Sequence, residues 1–109
     1  MTSHIKKKTG GARRPPATGM VENIVGCKWS LRVLELVREG VRRPGAMERG
    51  TPGLSAKVLN ERLKKLTRYG ILEKTVYPES PPRVEYRLTA FGGRFAAVLD
   101  AIRALDQPG

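Results

Sequence analysis

The chain has 109 residues, 39% of them hydrophobic and 28% charged, which suits one globular domain and leaves no room for a multidomain enzyme. Its 21 Lys and Arg against 10 Asp and Glu give a net charge of +11, and its one cysteine, Cys27, excludes an intrachain disulfide framework and fits a reducing, cytoplasmic setting. No apolar run nears the roughly 20 residues of a membrane-spanning helix, and Lys6, Lys7 and Lys8 lead into no apolar stretch of the kind a secretory signal carries.

Residues 1–19 hold Lys6, Lys7, Lys8, Arg13 and Arg14, no acidic residue, and Gly10, Gly11, Pro15 and Pro16. With almost nothing apolar to bury, this stretch is predicted to be a disordered basic tail, either solvated or lying as an arm along a neighbouring groove of DNA. Removing its five positive charges from +11 leaves +6 on residues 20–109, so the folded part also suits a polyanion, whose phosphates attract such a surface and release counterions on binding.

Residues 20–25 read as a turn or two of helix. Residues 28–39 read as a helix with Trp29, Val33, Leu36 and Val37 on one face, Arg32, Glu35 and Glu39 on another, and Gly40 as its stop. Trp29 reads as core. Residues 41–53 are broken by Pro44, Gly45, Gly50, Pro52 and Gly53, leaving space for a short helix at residues 46–49. Ser55 then resembles an N-cap for a helix over residues 56–69 that Gly70 ends. On that helix Val58, Leu59, Leu63, Leu66 and Tyr69 gather on one side, and Lys57, Asn60, Glu61, Lys64 and Arg68 on the other. Arg62 falls in the apolar sector and is expected to be a partly buried ion-pairing residue.

A hairpin follows. Residues 71–77 and 84–88 are rich in β-branched and aromatic residues, with Pro78, Pro81 and Pro82 between them. Thr89 can cap a last helix over residues 90–105, where Phe91, Phe95, Val98, Ile102 and Leu105 are spaced 4, 3, 4 and 3 apart, as in a helix that packs along another helix. A chain this short has little spare core for that stripe, so dimerisation is expected.

The predicted fold class is mainly α with a small β-hairpin (α+β), ordered as a winged helix-turn-helix DNA-binding domain. The chemistry suits double-stranded DNA. Residues near the start of a helix lodged in the major groove reach base edges: Lys57 for guanine, Asn60 for adenine, Glu61 for cytosine N4. Lys64 and Arg68 lie further along, where phosphates are met.

Three runs carry a family resemblance: G-C-K-W-S-L at residues 26–31, P-G-L-S-A-K-V-L-N-E-R-L at 52–63 and V-Y-P-E-S-P-P-R-V-E-Y-R-L-T at 76–89. Over nearly all of residues 20–109 the chain resembles the HxlR-type winged-helix transcriptional regulators of bacteria and archaea. The resemblance implies a homodimeric DNA-binding regulator in which the helix opened by Ser55 enters the major groove and Arg83 approaches the backbone or minor groove. It also implies dimer contacts from the terminal helices, at Met20, Val21, Phe91, Phe95, Val98, Ile102 and Leu105. The sequence departs from the family where many members carry a redox-sensing cysteine, since Pro16 stands near that place. Cys27 stands where glycine is usual, Pro44 replaces a common aromatic, Gly50 and Thr51 weaken the short helix, and Asn60 replaces a frequent threonine. Cys27 is open to two readings, a buried inert thiol or a redox or electrophile sensor.

An enzyme lacks its parts here: no histidine after His4, no phosphate-binding Gly-rich loop, no metal-ligand set and no cofactor motif. The expected partners are double-stranded DNA and a second copy of the chain, with no membrane, and any small-molecule effector would sit at the dimer seam or act through Cys27. The competing function is a sequence-tolerant nucleic-acid binder, architectural or RNA-binding, although the RNA-binding kind usually presents exposed aromatic platforms and aromatics are only 6% of this chain.

Overall fold

The computed structural model describes residues 7–9 and 15–106. In chain order the elements are β1 (Lys7–Thr9), α1 (Ala17–Val25), α2 (Lys28–Arg38), α3 (Pro44–Arg49), α4 (Ala56–Arg68), β2 (Leu72–Tyr77), β3 (Arg83–Leu88) and α5 (Ala90–Ala104). The helix order, the hairpin and the closing helix follow the sequence reading, and the starts of two helices differ from it. Proline is the reason in both cases. Pro16 occupies the N-cap of α1 and Pro44 the first turn of α3, places where a missing N–H costs nothing because the first helical N–H groups have no partner in the helix. The expected boundaries at 20 and 46 therefore give way to Ala17 and Pro44.

Of residues 1–19, expected to form a disordered tail, the described ones are 7–9 and 15–19, and they carry regular structure at 7–9 and from Ala17. Lys7–Thr9 form β1, which pairs antiparallel with β2 in the register Lys7↔Val76, Lys8↔Thr75 and Thr9↔Lys74. Backbone hydrogen bonds order this strand, a signal that leaves no trace in side-chain patterning. Lys6, Arg13, Arg14 and His4 lie outside the described residues. β2 is thus the central strand of the order β1-β2-β3, and its other edge pairs antiparallel with β3 from Leu72↔Leu88 to Tyr77↔Arg83.

α2 and α4 end alike. Gly40 and Gly70 adopt φ of +97° and +76°, a region that L side chains avoid. The N–H groups of Val41 and Ile71 then reach back to the carbonyls of Leu36 and Leu66 at 2.9 and 3.0 Å. The core is built from the faces that periodicity picks out: Val33, Leu36 and Val37 of α2 and Leu59, Leu63 and Leu66 of α4. It is completed by Met20 and Ile24 of α1, Met47 of α3 and Phe95 and Leu99 of α5. Burying side chains of this size contributes about 1.5–3 kcal/mol each before chain entropy is charged against it.

Arg62 is half-buried as expected, but it makes no ion pair among the described residues, and its Nε is buried without a hydrogen-bond partner. α5 is anchored at both ends. Thr89 Oγ1 accepts from Gly92 N at 2.9 Å while Thr89 N donates to Ile71 O at 3.0 Å. Further along, Arg38 donates to both carboxylate oxygens of Asp100 at 2.9 and 2.8 Å, and Arg103 pairs with Glu35. Among the described residues no helix is long and apolar enough to cross a membrane.

Candidate nucleic-acid interface

α3, the turn over residues 50–55 and α4 form the helix-turn-helix. Ser55 caps α4 as expected: its backbone is extended (φ −77°, ψ 158°) and its Oγ accepts from Val58 N at 3.2 Å. That bond satisfies one of the N–H groups a helix start leaves open, and such a cap is worth about 1 kcal/mol. Because Leu59, Leu63 and Leu66 face the core, Lys57, Asn60, Glu61, Lys64 and Arg68 are all exposed on the opposite face. Lys57, Asn60 and Glu61 occupy the first two turns, and Lys64 and Arg68 the last two.

The wing is the β2–β3 hairpin. Arg83 opens β3, and its side chain is held rather than free. Nε donates to Glu79 Oε2 at 3.1 Å, Nη1 donates to Glu85 Oε2 at 3.0 Å, and the guanidinium lies 4.0 Å from the centre of the Tyr77 ring. Glu85 also accepts from Arg87 at 2.9 Å and is nearly buried, at 8% exposure. The Arg87 hydrogen bond is the main reason its carboxyl is held below the usual carboxylate range; burial opposes this, and the charges of Arg83, Arg87 and Arg42 reinforce it. Glu79 and Glu85 were absent from the sequence-derived site. Glu85 and Arg87 alternate with Val84, Tyr86 and Leu88 along the sequence, but which charges meet depends on the register.

Cys27 is partly exposed and stands at the N-cap of α2. Burial pushes its thiol pKa up. Hydrogen bonds from Ser30, whose Oγ lies 3.2 Å from Sγ, and the charges of Arg62 and Lys65 outweigh that and hold it below the ordinary thiol value. Among the described residues no group of three or more His, Cys, Asp or Glu is placed to hold a metal.

The residues expected at a dimer seam divide into two sets. Met20 and Phe95 are sealed in the chain's own core, and Val21 and Phe91 pack against it. Val98, Ile102 and Leu105 stay exposed at 50%, 37% and 82%, joined by Val25 at 42%, which the sequence reading did not include. A cleft of about 610 Å³ between α2 and the end of α5 is lined by Val25, Trp29, Leu31 and Arg103 among others.

Residues 24–107 match the family described as HxlR-like helix-turn-helix. An uncharacterized HTH-type transcriptional regulator of Synechocystis sp. is 45% identical over 85 residues, which are 78% of this chain and 63% of that protein. Another, from Methanothermobacter thermautotrophicus, is 38% identical over 80 residues, 73% of this chain and 61% of that protein. The chain therefore spans less than two thirds of the length of either relative. Among solved structures, the reduced form of the transcriptional regulator YodB from B. subtilis is similar at a TM-score of 0.71 and 30% identity, covering 84% of this chain and 90% of that one.

Proposed function

This chain belongs to the HxlR-like helix-turn-helix family, and from that premise we propose that it is a cytoplasmic, sequence-specific regulator of transcription that binds a near-palindromic DNA operator as a homodimer. The observation that carries this reading is the exposed face of α4, whose first two turns present Lys57, Asn60 and Glu61 and whose last two present Lys64 and Arg68. Side chains at the start of a helix in the major groove reach base edges, and cations further along meet phosphates. The second copy is supported by the apolar surface of Val98, Ile102 and Leu105, which a lone chain leaves in water. A twofold pair would set two recognition helices about 34 Å apart, one helical turn of DNA.

The test is fluorescence-anisotropy binding to the DNA upstream of its own coding sequence, titrated against a scrambled duplex of equal length. A specific regulator prefers the first by about a thousandfold or more. Equal affinity for this duplex, for its scrambled form and for genomic fragments would make the chain a sequence-tolerant binder.

A further inference from the structure

A cleft of about 410 Å³ lies between the start of α3 and the start of β3, outside the face of α4. Its charged lining consists of Arg43, Arg49 and Arg83, with no carboxylate among the lining residues. We propose that this cleft seats one backbone phosphate of duplex DNA, held by the three guanidinium groups; the inference rests on the DNA-binding reading above and adds to it a contact made by α3 and the wing together.

Arginine suits this task because its planar fork of N–H donors matches the spacing of two phosphate oxygens. Arg43 and Arg49 are exposed and enter no ion pair among the described residues, so their charge is not cancelled by the protein. Arg83 has carboxylate partners, but a guanidinium carries five N–H donors. Its hydrogen bonds engage Nε with Glu79 and Nη1 with Glu85, Nη2 also lies at ion-pair distance from Glu79, and even with that contact counted two N–H groups are left over.

The backbone of the cleft and one of its three arginines are arranged before any ligand arrives. The Tyr86 N–H donates to Arg42 O at 2.8 Å, which ties the α2–α3 connection to β3 and sets Arg43 beside the wing. Gly45 lines the cleft, and the Arg49 guanidinium lies back over the first turn of α3, with Nη1 3.4 Å from where a β-carbon on Gly45 would stand. Glu79, Glu85 and Tyr77 hold the third arginine. Arg83, held in advance, loses less entropy when the anion binds. The cleft is open to solvent and formed by the helix that leads into α4, a position a DNA backbone running past the helix-turn-helix can reach.

The experiment measures the affinity of the full chain for its upstream duplex and for the scrambled duplex between 50 and 300 mM salt. Arg43→Ala/Arg49→Ala is expected to weaken both duplexes by a similar factor, on the order of thirtyfold, and to reduce the salt slope by about one. Arg43→Lys/Arg49→Lys is expected to keep most of the slope and still bind more weakly, because the charge remains and the fork is lost. A set of duplexes with a neutral methylphosphonate at one backbone position at a time supplies the second arm. One position should weaken the parent and leave the alanine variant unaffected. A parent that binds DNA alongside an alanine variant of unchanged affinity and slope overturns the phosphate seat and leaves the DNA reading standing. A parent that binds no duplex overturns the DNA reading first. Titration with inorganic phosphate separates a free-anion site, which would saturate without changing DNA affinity and would also overturn the proposal.

Discussion

A β-carbon placed on Gly92 would stand 2.1 Å from the carbonyl oxygen of Ile71. The first turn of α5 therefore rests on the backbone just after α4, where Thr89 N already donates to that same carbonyl. The severe clash of Gly92→Ala is with backbone atoms of Ile71, which cannot swing aside as a side chain can. It is expected to cost about 3 kcal/mol of stability, read as a lower urea midpoint with an unchanged slope. A loss under 1 kcal/mol would show that α5 can lift off Ile71 cheaply.

Two carboxyls tie stability to acid. The Arg38 hydrogen bond is the main cause that lowers the Asp100 pKa, and the Arg87 bond does the same for Glu85. A group whose pKa is depressed by folding adds stability that is fully present above its unfolded value, about 3.9 for Asp and 4.3 for Glu, and that disappears as pH falls through the lower folded value. Asp100→Asn and Glu85→Gln should therefore be less stable than the parent at pH 7, and in urea titrations the gap should close as pH falls below the unfolded carboxyl values. A gap that stays constant with pH would remove ionisation as the cause.

On α4, Lys57→Ala and Asn60→Ala should each lose about 1–3 kcal/mol of discrimination between operator and scrambled DNA. Arg68→Ala should weaken both duplexes alike. Anisotropy competition separates the two patterns, and equal losses for all three variants would abolish the division between base and backbone contacts.

The exposed trio Val98, Ile102 and Leu105 gives the homodimer its sharpest test. Val98→Asp/Leu105→Asp should raise the dimer dissociation constant at least about thirtyfold in sedimentation equilibrium while far-ultraviolet circular dichroism stays unchanged. If the parent itself sediments as a monomer at tens of micromolar, this face is not the dimer seam.

Cys27 should react with iodoacetamide at a lower pH midpoint than a free thiol, since Ser30, Arg62 and Lys65 together favour the thiolate. Ser30→Ala is expected to move that midpoint upward. A midpoint at or above the ordinary thiol value of about 8.5 would show that burial governs this site.

Much of this architecture could be read from the amino-acid order. The 3.6-residue spacing of Leu59, Leu63 and Leu66, the Ser55 cap and the Gly70 stop place α4 because each is a local signal. The wing is equally local, since two β-rich runs flank a proline cluster. Contacts between distant residues left weaker marks. Nothing near Lys7–Thr9 signals a strand, because its partner lies some 70 residues away, at Lys74 to Val76. Pro16 and Pro44 looked like interruptions because a proline's meaning depends on which side of a helix start it falls. The contact of Arg83 with Glu85 depends on the hairpin fold, and Arg43 and Arg49 belong to a stretch broken by prolines and glycines that carries little periodic pattern.

The two ion pairs that join α2 to α5 are Glu35–Arg103 and Arg38–Asp100. On each helix the partners are three residues apart, and the numbering runs in opposite directions. Two such fastenings one turn apart are exposed and individually weak, but they favour one slide and one roll of α5 against α2 in addition to its buried contacts. The direction in which Val98, Ile102 and Leu105 face is thus set partly by charges on a different helix. If two copies pair through that face and read DNA as proposed above, Glu35 and Arg38 would bear on how the two copies are set against each other, and so on the preferred gap between half-sites, from positions far from both the DNA and the seam.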